Sequence, residues 1–542
     1  MIERYQADRG ALSRFYDLRM SPTRSKELRA LASQYRGELG KVDFDSLSRS
    51  GQIDWLLMEN HLKFAIDEFD IRDKEVVEVA EMLPFQIDIV GWADAKRELK
   101  AVDAAKAAAR INEMAAELRT ARQKLEEKDK ATPIRTTLCF RAANFTDQLR
   151  EALKDWYEYG AGYDPEFTWW LKQPTESFIA DLQAYSAFLR DNIGGVAKGD
   201  TRAIVGDPIG RDALIHELKS ELIPYTPEDL LKIADREFKW CEAEMIKASR
   251  EMGFGDDWKK ALEKVKNDHV KPGEQPEMIR QLAVEAIEFV EKNELMTVPP
   301  LAKTTWRMEM MSPQQQLVSP FFLGGETIMV SYPTDSMDHN AKMMSMRGNN
   351  RHFARATVHH ELIPGHHMQQ FMTSRYATHR DAFGTPFWIE GWALWWEFLL
   401  WDKNFAKSPE NRVGMLFWRM HRCARIIFSL GFHLGQMTPQ QCIDLLVDKV
   451  GHERANAEAE VRRSFGGGYG PLYQLAYMMG GLQFRGLYKE LVESKKMTAK
   501  QFHDAILHQG NIPVSITRLA ITDTKLSKNM PMWYFDMPPS SN

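Results

Sequence analysis

Four of the chain's 15 histidines fall within nine residues, in His359-His360-Glu361-Leu362-Ile363-Pro364-Gly365-His366-His367, and a glutamate stands among them. Neutral imidazoles and carboxylates are the side chains that hold a hydrolytic zinc while leaving one position open for water. A further carboxylate beside that water takes up its proton. The common arrangement is HExxH on a helix, where two histidines four residues apart share a face and the intervening Glu is the base. This chain departs from it, because the residue four after His360 is Pro364. On a straight helix His366 would lie about 9 Å further along the axis on another face, and His367 about 10.5 Å along. Neither could share a metal with His360 at bond lengths of about 2.0–2.1 Å. Pro364 removes a helical donor and Gly365 admits unusual backbone angles. The segment is therefore expected to bulge by two residues, so that His366 takes the place of a four-residue step, with His367 as the other candidate ligand.

A third ligand is expected downstream, in Trp388-Ile389-Glu390-Gly391-Trp392-Ala393-Leu394-Trp395-Trp396-Glu397. Glu390 and Glu397 are seven residues apart, nearly in line on one helical face. Both interrupt a strongly apolar run, where a carboxylate is costly unless paired or metal-bound. Glu390 is the expected ligand, and Glu397 is placed to hydrogen-bond a ligating histidine.

The elements that must position these groups are mostly helical. The chain has 542 residues, enough for a large core. At 44% hydrophobic and 27% charged residues its composition is that of an ordinary globular protein. A net charge of −5 gives no electrostatic footprint for nucleic acid. Cys139, Cys241, Cys423 and Cys442 form no CxxC pair, which argues against a disulfide framework or a cysteine–zinc site. The first twenty residues hold no apolar stretch of signal-peptide length, so the expectation is a cytoplasmic protein, or a periplasmic or secreted one whose signal was removed before residue 1. No run approaches the roughly 18 apolar residues of a membrane span.

Between Trp92 and Thr132 there is neither Gly nor Pro. There Ile111, Met114, Ala115, Leu118, Ala121 and Leu125 make one stripe, predicting a long surface helix that ends near Pro133. A Gly/Asp-rich loop zone follows at 192–211. Thr226, with Pro227 and Asp229 behind it, predicts a capped helix start. Pro299-Pro300 marks the expected boundary between an N-terminal helical scaffold, 1–296, forming one cleft wall, and a catalytic half, 297–542. Glu326–Tyr332 is the best strand candidate. The expected fold class is mainly α, with a small edge β-sheet beside the active-site helix.

HExxPGHH followed by EGWAxxxE resembles the large bacterial domain-of-unknown-function family eight-eight-five, a distant relative of the gluzincin metallopeptidases. GRDALIHELKSELIPYTPEDLL and FHDAILHQGNIP are similar to that family too, so the resemblance runs from about residue 200 onward. It implies a helical gluzincin-like fold. Thimet oligopeptidase, in the wider group, likewise takes its third ligand from a Glu some 25 residues beyond the second histidine. Its Gly/Tyr-rich segment is similar to Gly466-Gly467-Gly468-Tyr469-Gly470-Pro471-Leu472-Tyr473-Gln474-Leu475-Ala476-Tyr477 here. The resemblance implies a tyrosine that stabilises the oxyanion, in the order Tyr477, Tyr473, Tyr469. It also implies a strand edge at 326–332 for an extended peptide. Arg463, just before the loop, is a candidate for pairing with a peptide carboxylate.

The expectation is then a hydrolase with one Zn2+ per chain on His360, His366 and Glu390, cleaving short peptides by metal-activated water with Glu361 as general base. The substrate is a peptide or small amide, with no nucleic-acid partner. Alternatives are an amidase acting on a non-peptide substrate and a catalytically inactive metal-binding scaffold.

Overall fold

The computed structural model describes residues 1–536, apart from 133, 197–199, 201–202, 317–318, 320, 467 and 530–531. Pro133, Gly467 and part of the 192–211 zone thus lie outside the described residues. The protein is mainly helical with a small two-stranded parallel sheet. Its residues form two compact units, Met1–Val42 with His61–Asp207, and Asp43–Asn60 with Pro208–Asn542.

In the first unit three long helices, α1 (Ala104–Ala131), α2 (Thr136–Gly160) and α3 (Pro165–Phe188), share one core. The stripe Ile111, Met114, Leu118, Ala121 and Leu125 is buried, with Ala115 half-buried. Its helix is shorter than the Gly- and Pro-free stretch suggests. Leu99 adopts φ 56°, and the Asp103 side chain accepts from Lys106 N–H as the cap of a fresh start. The preceding residues belong to a separate helix, Gln86–Arg97.

In the second unit, α4 (Pro227–Glu251) opens on the expected Thr226 cap. Asp229 N–H donates to Thr226 Oγ1 at 3.2 Å, and the Asp229 carboxylate accepts from Thr226 N–H at 3.3 Å. The sequence boundary expected at 296/297 lies inside this unit, because α4 packs on residues of the C-terminal half. Its Glu237 accepts from Arg419 at 2.7 Å in a buried ion pair, and the guanidinium lies 4.0 Å over Trp240.

The sheet pairs β1 (Arg307–Met310) with β2 (Thr327–Val330) in parallel, Arg307 opposite Thr327. The expected strand is there but shorter. Beyond Val330 the Gln316 side chain takes over the ladder, accepting from Ser331 Oγ at 3.0 Å and Tyr332 N–H at 3.2 Å. Nor is its edge open: the side away from β1 exchanges two hydrogen bonds between Met329 and Leu323.

Helix α5 (Gln275–Lys292) and β2 form the bed for α6 (Arg351–Glu361), the helix that carries the histidine motif. Ile279, Ala283, Ile328 and Val330 pack against Ala354, Val358 and Leu362 in one apolar cluster. Asn350 caps α6 by accepting from the N–H groups of His352 and Phe353. The short helix α7 (His366–Thr373) follows, then α8 (Pro386–Asp402) with Glu390 and Glu397, and α9 (Pro409–His433). Next come α10 (Arg454–Phe465) and α11 (Tyr473–Tyr488). Helix α8 is apolar on all sides and accordingly central: Trp388, Trp392, Trp395 and Trp396 are all essentially inaccessible. It crosses α11 at a contact that admits no side chain. A Cβ on Gly391 would lie 2.4 Å from Gly480 Cα, and one on Gly480 would lie 1.9 Å from Phe387 O.

All four cysteines are buried and free. Among the described residues no helix is long and apolar enough to cross a membrane.

Candidate metal centre

The motif helix stops at Glu361, and Leu362 leaves helical geometry at φ −106°, ψ −113°. The Ile363–Pro364 bond is cis. In a regular helix the His359 carbonyl would accept from residue 363. Here it accepts from Gly365 N–H at 3.0 Å, and the Leu362 carbonyl accepts from Met368 N–H at 3.3 Å. Each of these bonds spans six residues in place of four, so two residues are looped out and the helical register then resumes. His366 consequently occupies the place of a four-residue step from His360, and their rings lie 4.9 Å apart. The return is so close that a Cβ on Gly365 would sit 1.8 Å from His360 O, so only glycine fits. Trp392 Nε1 of α8 donates to the Pro364 carbonyl at 2.9 Å and pins the loop.

Three ligand atoms converge. Glu390 Oε2 lies 3.2 Å from His366 Nε2 and 3.7 Å from His360 Nε2. Two ligands on one tetrahedral zinc at about 2.0–2.1 Å stand roughly 3.3 Å apart, so these separations suit a shared ion. Glu390 Oε2 is buried with no hydrogen-bond partner, an orphaned atom that a cation would satisfy. His360, Glu361 and His366 also present ligand atoms within 4.8 Å of one another. Of the two carboxylates, Glu390 is the closer to the His366 imidazole, since Glu361 Oε2 lies 4.0 Å from His366 Nε2. Glu361 is therefore the flanking carboxylate and Glu390 the central one. The donor set, two imidazoles and a carboxylate, suits zinc.

Neighbours orient each of these groups. Glu397 Oε1 accepts from His360 Nδ1 at 2.7 Å, which directs Nε2 into the site. The Gln369 amide lies 2.5 Å from His366 Nδ1 and 3.0 Å from the Ile389 carbonyl, holding that ring from α7 and α8 together. Tyr473 OH donates to Glu390 Oε1, leaving Oε2 free. Gly324 packs directly on Glu361: a Cβ there would lie 2.4 Å from both Glu361 O and Glu361 Oε2.

The electrostatics follow from this burial. Burial opposes charge on His360, yet the Glu390 and Glu397 carboxylates outweigh it and raise the imidazole to about 9. Burial likewise opposes ionisation of Glu390, but His366 and His360 hold its carboxylate well below the usual range. On Glu361 burial prevails over the pull of His360 and His366, and its carboxyl is raised, as suits a proton carrier. The site is thus built to hold positive charge between His360 and Glu390, where a metal ion would replace a proton.

Of the other expected residues, His367 turns away, its Nε2 donating to the Ala302 carbonyl at 2.9 Å. His359, which was not among them, is fully buried against Phe405. Tyr469, Tyr473, Tyr477 and Arg463 all line a cavity of about 320 Å3 together with His360, Glu361, His366 and Glu390, and the described residues that line it belong to the second unit. Tyr477 stacks on His360 with centroids 6.1 Å apart, and burial pushes its phenol up to about 12. Sequence reasoning missed Arg422, Arg425 and the Phe321–Gly324 segment, which also line this cavity. A signal for the arginines existed: they sit inside the apolar run of α9, where a cation is as conspicuous as Glu390 is in α8.

The chain belongs to the family described as bacterial protein of unknown function (DUF885), whose pattern matches residues 9–521. Among solved structures it is similar to a candidate lipoprotein of unknown function from Shewanella oneidensis, with TM-score 0.67 and 17% identity over 95% of this chain and 98% of that one. It is also similar to a candidate lipoprotein from Colwellia psychrerythraea, with TM-score 0.56 and 15% identity over 92% and 90%. At these identities the likeness is one of fold. No curated protein matches the chain.

Proposed function

We propose that this member of the DUF885 family is a zinc-dependent hydrolase of short peptides, with the metal on His360, His366 and Glu390. The observation that carries the reading is the convergence of two imidazole Nε2 atoms and the orphaned Glu390 Oε2 at 3.2 and 3.7 Å, with a further carboxylate, Glu361, beside them. A zinc ion there would act as a Lewis acid toward water and the scissile carbonyl. Glu361 accepts the proton of the attacking water and returns it to the leaving amine. Glu397 keeps His360 in the ligating tautomer, and the Gln369 amide fixes the position of the His366 ring. Tyr477 is the donor we assign to the developing oxyanion, because Tyr473 already spends its proton on Glu390. The gluzincin likeness, resting on the HExxPGHH and EGWA motifs, belongs to this proposal.

The test is chelation. Protein stripped of metal, reloaded with one equivalent of zinc and incubated with a mixture of short peptides is followed by mass spectrometry. Cleavage that vanishes on stripping and returns on reloading is the expected result. Undiminished cleavage by protein verified as metal-free would overturn the reading.

A further inference from the structure

We propose that the cavity takes its peptides by their free C-terminal carboxylate, which docks on Arg422, Arg425 and Arg463, so that the enzyme removes one or two residues from the C-terminus. This rests on the hydrolase reading above.

The three guanidiniums line the same cavity as His360 and Glu361, and they have too little anionic partner of their own. Arg425 Nε donates to Glu460 at 2.6 Å, but its Nη1 is buried without any partner. Arg422 comes no nearer to an acid than 3.7 Å, and that oxygen, Glu397 Oε1, already serves His360. Its own Nε is buried and unbonded, as is Nε of Arg463. Among the described residues Arg463 makes no ion pair within 4.0 Å, and Glu460, on the same helix, is taken by Arg425. Three cations thus face two carboxylates, Glu460 and Glu397, each with one oxygen already bonded. Guanidiniums left so poorly paired in a buried wall are costly. An incoming carboxylate satisfies them, and the planar fork of arginine suits a two-oxygen anion.

Their position sets the length of the departing fragment. The Tyr477 ring links them to the site: it stacks on His360, and Arg422 and Arg425 stand 4.5 and 4.4 Å from its centroid. Arg463 stands 4.7 Å over Tyr469, which packs at 4.3 Å on Tyr473, the partner of Glu390. Arg422 and Arg425 are thus reached from His360 in two steps, 6.1 Å to the Tyr477 centroid and 4.4–4.5 Å onward. An extended chain advances roughly 3.3–3.6 Å per residue, so one or two residues span from a carbonyl at the metal to a carboxylate at the arginines. In the reaction the C–N bond breaks. The water's hydroxyl joins the acyl carbon, one proton goes to the leaving nitrogen, and the amine product carries the docked carboxylate away.

Acetyl-tetra-alanine, as the free acid and as the C-terminal amide, separates the possibilities with the zinc-loaded full chain. The free acid is expected to be cleaved with kcat/KM about 100-fold above the amide, the order of losing a charge-assisted bidentate contact. Arg463→Gln should remove most of that preference by lowering the free-acid rate alone, and Arg463→Lys should restore part of it. Equal cleavage of acid and amide would overturn the proposal. So would an Arg463→Gln variant that slows both alike, or a C-amidated peptide ending in Glu that is cleaved as well as the free acid. Should zinc-loaded protein cleave neither peptide, calorimetric binding to Glu361→Gln protein decides. Tighter binding of the acid supports the carboxylate site and rejects only the hydrolase, whereas equal affinities reject the site itself.

Discussion

Helix α8 presents Glu390 and Glu397 on one unbroken apolar run, seven residues apart, whereas His360 and His366 sit six residues apart on two helices with a loop between them. The two regions solve one problem in opposite ways. In α8 the spacing already equals two helical turns, so a straight helix suffices and its precision comes from packing: four buried tryptophans, and a crossing with α11 too close for any side chain at Gly391. In α6–α7 the spacing is wrong for a helix, and the backbone corrects it by looping out two residues. That correction needs Gly365 against the His360 carbonyl and the Trp392 bond to Pro364. The straight element thus supplies the reference against which the broken one is held.

The comparison predicts a hierarchy of effects on zinc affinity. His366→Ala should cost the most, at least about 100-fold and beyond the 10–100-fold typical of outer partners, while His367→Ala, whose ring bonds Ala302, should leave affinity nearly unchanged. Titration against a chromogenic chelator measures both; the reverse ranking would break the register argument. Glu397→Gln should weaken zinc by about 10–100-fold through loss of the carboxylate that orients His360. Gly480→Ala should act on stability, by about 1–3 kcal/mol of overpacking read from denaturant unfolding, because its Cβ would meet Phe387 O at 1.9 Å. Only a small change is expected from deleting Ile363 and Pro364 together. That leaves His360-Glu361-Leu362-Gly365-His366, a regular four-residue step, so zinc affinity should stay within about tenfold. Complete loss would show that the loop does more than restore register.

Most of the centre was legible because each element left a chemical anomaly in the sequence. Histidines clustered about a glutamate, carboxylates interrupted a tryptophan-rich run, and a proline stood where a ligand should be. Arg422 and Arg425 drew no expectation, although α9, which carries them, is buried along nearly its whole length. Strand β1 was not legible either: Arg307-Met308-Glu309-Met310 does alternate polar and apolar residues, but over only four positions, and it is mostly exposed. The break before α1 has no Gly or Pro to announce it, since Leu99 itself takes the left-handed conformation. The boundary expected at Pro299-Pro300 was drawn from local turn chemistry, whereas the pairing of Glu237 with Arg419 is between residues far apart in the chain.

The most direct test of the account is the Glu361→Gln variant, assayed together with the parent for bound zinc and for peptide cleavage. Glu361 flanks the ligands and, on this account, is the base, so the variant should carry one zinc per chain while hydrolysis falls by about 10²–10⁴-fold, the usual contribution of a positioned general base. Cleavage persisting at the parent rate, or no zinc in either protein, would contradict it.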